Sequence, residues 1–306
     1  MPFSMRVNKL DLNQLVVLDA VLTYRSVSKA AAHVHLTQPA VSASLGKLRQ
    51  FFGDPILVQQ GSGMAPTPFA ETLVHPVRDL LVQAQALTHR RPGRDPADIQ
   101  RRITLVASDY VQQVLLVSLL QRANKEAPGL SFEIRSISGY LNRELEQGDV
   151  DLVVSLASGI GDPTNSEIIF RDSWSCILCK ENPSIGSEVS LAEYLSAGHV
   201  GVVLGSGRVP TLDQVAVDRL GLKRRLEVHV PSFFMVAPCV VGTERLGLIQ
   251  TQLAKILSQK WPVRIIPVPF EIEEVVTAVQ WHRYQAHDPA IQWIRQTLKH
   301  IANGLK

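Results

Sequence analysis

The chain has 306 residues, 45% hydrophobic and 19% charged, which indicates about two folded domains and excludes disordered, collagen-like and coiled-coil-only chains. Three cysteines are too few for a disulfide framework, and Asp11 and Asp19 interrupt any export signal, so we expect a cytoplasmic protein. No apolar run approaches the roughly 20 residues of a membrane span, so we expect no membrane partner. The net charge of +3 is uneven: residues 1–94 hold ten Lys or Arg against five Asp or Glu, which indicates a small basic module, suited to phosphate, attached to a larger neutral one.

The first predicted elements are three short helices and a hairpin. A first helix carries leucines at helical spacing, namely Leu12, Leu15, Leu18 and Leu22. A second covers residues 27–34, and a third runs from Thr37, a good N-cap, to about Phe52. Residues 54–67 then predict two short strands joined by a Gly-rich turn. This order is typical of a winged helix-turn-helix, and we assign the DNA-binding domain to residues 10–67, with the helix-turn-helix at about 27–46.

The third predicted helix has two different faces. One is an apolar stripe, and the other is small and polar, which suits a helix that enters a DNA groove. The stripe consists of Val41, Leu45, Leu48 and Phe52, and the polar face of Pro39, Ala43, Gly46 and Gln50, flanked by Ser42 and Lys47.

A fourth helix is predicted over residues 68–90, with Pro68 at its first position. Its apolar residues alternate in steps of four and three, which is the heptad seam of a coiled coil. The seam predicts dimerisation through Leu73, Val77, Leu80, Ala84 and Leu87. The alternative is an ordinary amphipathic helix that packs on its own domain.

After a hinge at residues 91–101, strand-like and helix-like segments alternate to the end of the chain. This pattern predicts an α/β domain with a mostly parallel sheet over residues 102–306. We expect two lobes with a cleft between them, as in periplasmic binding proteins. The first lobe would comprise about 102–171 and 271–306, and the second about 172–270.

Candidate effector residues lie at the predicted strand ends of this domain. Ligands of α/β sheets gather at the carboxyl ends of strands, where hydroxyl and N–H groups are available. The candidates are Ser108, Ser138 and Ser155 in the first lobe, and Gly205, Ser206 and Ser232 in the second. These donors, with few fixed positive charges, suit a small aromatic or organic acid or a phenol. The alternative for each serine is a helix cap.

The N-terminal pattern resembles the LysR-type transcriptional regulators. Five segments carry the resemblance: Ala30-Ala31-Ala32, Leu36-Thr37-Gln38-Pro39-Ala40-Val41-Ser42, Leu45 with Leu48-Arg49, Phe52-Gly53-Asp54-Pro55-Ile56-Leu57-Val58, and Gly63-Met64-Ala65-Pro66-Thr67-Pro68. Glu146-Gln147-Gly148-Asp149-Val150-Asp151-Leu152 is similar to a segment of the family's effector domain. The wing exit, Gly63-Met64-Ala65-Pro66-Thr67-Pro68, and Trp281-His282 resemble the branch of nodulation and aromatic-catabolism regulators.

The resemblance implies a transcription factor that binds double-stranded DNA as a homodimer or homotetramer and responds to a small-molecule effector. RNA polymerase would be a further partner if the protein is an activator. DNA contacts carried over by position are Thr37, Gln38, Pro39 and Ser42, with Lys47 and Arg49 available for phosphates, although Arg49 could instead flank the core stripe. Ala43 and Gln59 stand where relatives often carry longer donors, so affinity would depend more on the dimer and on DNA shape.

Other chemistry has little support in the sequence. Cys176 and Cys179 could form half a zinc site or a redox pair, but i and i+3 point to opposite faces of a strand, which favours core packing. The basic run Lys223-Arg224-Arg225 is interpreted as a solvated edge. No nucleophile, metal or cofactor motif is found, so we expect neither an enzyme nor a cofactor. A solute-binding receptor or an enzyme using the same cleft remains the alternative function.

Overall fold

The computed structural model describes residues 10–61, 63–89, 95–137, 141–161, 163–204 and 209–305. The chain divides into two compact units. Residues 1–91 and 146–148 form the first unit, and residues 92–145 and 149–306 form the second. Among the described residues, no helix is both long and apolar enough to span a bilayer.

The described residues of the first unit form four helices and an antiparallel hairpin. The helices are α1 (Leu12–Tyr24), α2 (Val27–His33), α3 (Gln38–Phe52) and α4 (Pro68–His89), and the hairpin strands are β1 (Leu57–Gln60) and β2 (Gly63–Pro66). Leu18, Val21, Leu45 and Leu48 are among its fully buried core residues. The predicted helices and wing are therefore present. Leu12 departs from the predicted apolar face, because it is 53% exposed at the first position of α1.

The junction between the hairpin and α4 is held by Asp54. Its Oδ1 accepts hydrogen bonds from the backbone N–H of Ile56 and from the Thr67 hydroxyl, both at 2.7 Å. Ile56 is buried and has a φ of +64°, a conformation that is unfavourable for a β-branched residue. Thr67 in turn accepts from the N–H of Ala70 at 3.0 Å, in the first turn of α4. One carboxylate thus supports a strained turn and the start of the next helix.

The second unit contains two sheets. The strands of the first are β3 (Arg101–Ala107), β4 (Leu130–Arg135), β5 (Leu152–Leu156), β6 (Ser166–Asp172) and β13 (Val275–Trp281). Their order in the sheet is β4-β3-β5-β13-β6. Strand β3 is parallel to β4 and β5, whereas β13 is antiparallel to β5 and β6. The helices of this lobe are α5 (Asp109–Val111), α6 (Val117–Glu126), α7 (Leu141–Glu146) and α12 (Pro289–Asn303), and a π-helical turn, Gln112–Leu116, joins α5 to α6.

The strands of the second sheet are β7 (Trp174–Cys179), β8 (Gly198–Leu204), β9 (Val209–Pro210), β10 (Arg225–Val230), β11 (Leu246–Gln250) and β12 (Val263–Ile266). Their order is β10-β8-β11-β7-β12, with the short β9 paired to β8. Its helices are α8 (Leu191–Ser196), α9 (Leu212–Arg219), α10 (Val236–Val240) and α11 (Thr251–Ser258). Strand β7 is antiparallel to β11 and β12, so both sheets are mixed rather than mostly parallel. The antiparallel strands include those on which the chain enters the second lobe and returns to the first.

Each lobe buries an arginine that pairs with aspartate. In the first lobe, Arg101 contacts Asp151 and Asp288, and its side chain is 5% exposed. In the second lobe, Arg224 Nη1 lies 2.9 Å from Asp213 Oδ2, and both side chains are almost fully buried. The interpretation of Lys223-Arg224-Arg225 as a solvated edge is therefore wrong at Arg224. Asp213, eleven residues upstream on α9, provides the countercharge that makes its burial possible.

Candidate DNA-binding surface and effector site

The N-terminal end of α3 is an exposed, polar surface. The Thr37 hydroxyl caps the helix by accepting from the N–H of Ala40 at 3.4 Å. Gln38, Pro39 and Ser42 are exposed in the first turns of α3. A helix end with short polar side chains can approach base edges closely.

The two basic candidates on α3 differ in what they contact. Lys47 is exposed. Arg49 is also exposed, but its Nε donates a 2.8 Å hydrogen bond to the carbonyl oxygen of Pro55 in the turn before β1. Arg49 therefore supports the α3–β1 turn, and the rest of its guanidinium can still face a phosphate.

The Gln38 amide is held by a neighbouring helix. The hydroxyl of Ser28, the second residue of α2, donates to Gln38 Oε1 at 3.2 Å. Both side chains are exposed. This contact was not expected from the sequence, because it joins residues ten positions apart on two helices. Ser26 is the N-cap of α2, and its side chain accepts from the N–H of Lys29 at 3.4 Å.

The seam predicted on α4 is divided between the core and the surface. Val77 is 4% exposed and belongs to the core of the first unit, and Leu73 packs against that core. Ala84 is half-buried. Leu80 and Leu87 are 47% and 65% exposed. The N-terminal half of the seam thus packs on its own domain, as the alternative interpretation predicts, while the C-terminal half has two exposed leucines.

In the second unit, the carboxylate that follows Ser108 in the chain contacts Ser232 across the lobes. Ser108 follows β3 and caps α5 by accepting from the N–H of Val111 at 3.3 Å. The next residue, Asp109, accepts through Oδ2 from the Ser232 hydroxyl at 2.6 Å and from the N–H of Phe233 at 2.7 Å. Ser108 and Ser232 are therefore brought to the same place, although both serines also act as local caps.

A second link between the lobes starts at the neighbouring residue, Tyr110. Its buried hydroxyl donates to Asp172 Oδ2 at 2.8 Å, and Asp172 also accepts from the backbone N–H of Gln252 at the start of α11. Burial raises the pKa of both the Tyr110 hydroxyl and the Asp172 carboxyl. Asp109 and Tyr110, at the start of α5, therefore both connect to the second lobe. Asp109 does so directly, and Tyr110 does so through Asp172, which accepts from the N–H of Gln252.

Of the other predicted effector residues, the structure describes only Ser155. Ser155 is 9% exposed near the end of β5, where Val154 pairs with Ala107, so it lies beside the Ser108 strand end. Ser138, Gly205 and Ser206 lie outside the described residues. A cavity of about 200 Å³ is lined from both lobes by residues that include Ser158, Trp174, Leu212, Arg219 and Glu273, but Ser108, Ser155 and Ser232 are not in its lining. This is below the roughly 300 to 1,000 Å³ of most ligand sites, so only a small molecule would fit.

The cysteines and the buried histidine of the second lobe belong to its core. Cys176 and Cys179 are buried on β7, and burial raises the pKa of the Cys176 thiol to about 12, which makes a reactive thiolate unfavourable. The described residues contain no group of three His, Cys, Asp or Glu side chains that could hold a metal. His199 is fully buried; its Nε2 lies 2.6 Å from the carbonyl oxygen of Tyr194, and burial lowers its pKa to about 4.

Family models match both parts of the chain. The model of the bacterial regulatory helix-turn-helix protein, lysR family, matches residues 12–71, and the LysR substrate binding domain matches residues 96–302. The chain therefore belongs to the LysR family of transcriptional regulators. It combines a helix-turn-helix for DNA with an α/β domain through which an effector modulates regulation, and both the suspected family and the predicted fold class are confirmed.

The chain is similar to individual LysR-family proteins and to solved structures along almost its whole length. The chain is 37% identical to nodulation protein D 2 of Rhizobium tropici, over 96% of this chain and 93% of that protein. It is 34% identical to nodulation protein D 1 of Bradyrhizobium sp. (strain NC92), over 96% and 94%. Among solved structures, the "probable transcriptional regulator PA0477" from Pseudomonas aeruginosa is 27% identical, with a TM-score of 0.63, 97% of this chain covered and 99% of that one. Full-length OxyR from Pseudomonas aeruginosa, at 16% identity, a TM-score of 0.69 and 95% coverage of each chain, shares the fold.

Proposed function

We propose that this regulator recognises DNA through the start of α3 and responds to a small aromatic or organic acid bound between the two lobes of its C-terminal domain. The exposed cluster of Gln38, Pro39 and Ser42 supports the first part. Lys47 and the free part of Arg49 would contact phosphates, which fix the position of the helix but carry no sequence information.

The observation that carries the effector site is the Asp109 contact. Next to Ser108, the Asp109 carboxylate of the first lobe accepts from the Ser232 hydroxyl and the Phe233 N–H of the second lobe, so this pair of donors can hold a carboxylate. A ligand there would touch both lobes at once, so its binding energy would depend on their arrangement.

We propose further that the protein is a cytoplasmic homodimer or homotetramer, with one dimer contact formed by the exposed leucines of α4. A helix with two large exposed apolar residues at heptad spacing favours a partner helix. Dimerisation would place two copies of α3 on the two half-sites of a symmetric operator. If the protein is an activator, RNA polymerase is a further partner.

One experiment on the full-length protein tests both parts. Footprinting on the DNA that flanks its own gene, at several salt concentrations and with a panel of aromatic and organic acids, should show a salt-dependent footprint that one class of acid alters.

Gln38→Ala should weaken specific binding by about 1 to 3 kcal/mol, and Lys47→Ala should lower specific and non-specific binding together. Ser108→Ala should fold normally and lose most of the thermal stabilisation by the acid. Equal thermal stabilisation of wild type and Ser108→Ala by the acid would contradict an effector site at Ser108.

A further inference from the structure

The carboxylate of Asp109 is held by two donors of the other lobe. Its Oδ2 accepts from the Ser232 hydroxyl at 2.6 Å and from the Phe233 N–H at 2.7 Å. Asp109 lies 123 residues before Ser232, at the start of α5 in the first lobe, so this contact is not a local turn. Hydrogen bonds to an ionised carboxylate are stronger than those between neutral groups. The second lobe therefore presents a pair of donors that accommodates a carboxylate from outside that lobe.

Both donors are oriented by the second lobe itself. Ser232 caps the turn Phe233–Met235, and its Oγ accepts from the N–H of Phe234 at 3.1 Å. Because that N–H uses a lone pair of the oxygen, the hydroxyl proton remains available to donate to Asp109. The side chain of Phe233 is buried, which fixes the backbone that carries the second donor. Neither orientation depends on α5, so the two donors should stay in place when the Asp109 carboxylate is removed.

We propose that the Ser232 hydroxyl and the Phe233 N–H form a subsite for the carboxylate of the effector, and that Asp109 occupies this subsite as an internal competitor. The inference rests on the proposed function, in which a small acid binds beside Ser108, the residue before Asp109. A free carboxylate reaches both donors only after it displaces Asp109, because Oδ2 is bonded to each of them. Its apparent affinity is therefore reduced by the fraction of molecules in which the subsite is open. Displacement also breaks a bond between the lobes, which gives an acid a way to change their arrangement.

The first measurement is amide hydrogen exchange at Phe233 in the full-length protein, with acetate as the probe. In Asp109→Ala the Phe233 N–H loses its acceptor and should exchange faster. Acetate should restore the protection in a saturable manner, because it carries the same group that the substitution removes. Acetamide has the same shape without the charge and should need about tenfold more or fail, and sodium chloride at equal ionic strength controls for screening. Adding Ser232→Ala removes one of the two donors and should weaken the restoration by acetate about tenfold.

The second measurement is thermal stabilisation of the full-length protein by acetate. We expect Asp109→Ala to reach half of the maximal stabilisation at a concentration about tenfold to a hundredfold lower than wild type, the effect of one charge-assisted hydrogen bond. Tyr110→Phe is the matched control, because it breaks the other link between the lobes, to Asp172, and leaves both donors bonded to Asp109. It should bind acetate as weakly as wild type. Asp109→Asn keeps the size of the side chain without its charge, should fall between wild type and Asp109→Ala, and replaces the alanine variant if that variant does not fold.

The outcomes separate the competitor from the proposed function. Equal acetate affinity in wild type and Asp109→Ala, or no restored protection at Phe233, would refute the inference. An equal gain in Tyr110→Phe would refute it as well, because loosened lobes would then explain the affinity. If an acid alters the DNA footprint at the same concentration in wild type and Asp109→Ala, the proposed function holds and the competitor is wrong. If acetate binds as expected but no acid alters either footprint, the subsite holds and its role in regulation is wrong.

Discussion

Leu80→Glu tests whether α4 is a dimer contact. Full burial of a leucine side chain stabilises by about 1.5 to 3 kcal/mol. With 47% of Leu80 and 65% of Leu87 exposed, covering them would contribute about 1 and about 1.5 kcal/mol per protomer. A two-fold interface contains each residue twice, so these leucines together would contribute about 5 kcal/mol to dimerisation.

Leu80→Glu removes the apolar burial that Leu80 contributes in both protomers. It also places one carboxylate from each protomer in the dimer contact. The lost burial amounts to about 2 kcal/mol, and desolvating two unpaired carboxylates adds at least as much. We therefore expect the dissociation constant of this dimer to rise about 1,000-fold or more, from a free-energy change of about 4 kcal/mol. Leu80 is already half-exposed within the unit, so the thermal midpoint of the protomer should change little.

The assays are sedimentation of the full-length protein and binding to DNA with one or two half-sites. Leu80→Glu should lose one association step and its preference for paired half-sites. Gln85→Glu is the matched control, because it adds the same charge to an exposed position of α4 outside the seam. Wild-type sedimentation and wild-type affinity for paired half-sites in Leu80→Glu would refute α4 dimerisation and favour a helix that serves only its own domain.

Three further predictions concern contacts that the structure shows. Asp109→Ala should speed amide hydrogen exchange at Phe233, since its N–H loses its acceptor, and unchanged protection would contradict the interlobe contact. Asp54→Ala should destabilise the first unit by about 1 to 3 kcal/mol in urea unfolding, because the Ile56 N–H and the Thr67 hydroxyl both lose their acceptor; a loss below about 0.5 kcal/mol would contradict this role. For His199, the unfolded state takes up a proton near pH 6.5, whereas the folded state stays neutral to about 4. Stability should therefore fall by up to about 3 kcal/mol as pH drops from 6.5 to 4, and His199→Gln should flatten this dependence or the assignment is wrong.

Local patterns predicted the helices and the hairpin of the first unit, but not every buried position on them. Helical spacing and capping residues identified α1 to α4, because both signals come from residues within a few positions of one another. The exposed Leu12 shows the limit of this reasoning, since a leucine at the right spacing but in the first turn can lie beyond the edge of the core. Val77 shows a second limit. The same heptad positions fit a partner helix and the protein's own core, and only tertiary packing separates them.

The sheets of the second unit could be predicted only in part. Most strands were recognisable as short apolar runs, but strand order depends on pairings that no local signal specifies. Strand β13 pairs with β5 and β6 from more than 100 residues away, and its direction makes the sheet mixed. The π-helical turn at Gln112–Leu116 was likewise invisible in a helix-like sequence.

The polar contacts between residues far apart in the sequence were missed for one shared physical reason. Asp109 bonds to Ser232, 123 residues later, and Arg224 is buried through Asp213 on another element. A polar side chain viewed with its neighbours alone suggests a cap or a solvated edge, because those are the partners within reach of a local pattern. A hydrogen bond between two distant elements breaks when those elements separate, whereas a local cap stays intact. The hydrogen bonds of Asp109 therefore depend on the arrangement of the two lobes. Such pairs are where effector binding can be coupled to a change between lobe arrangements.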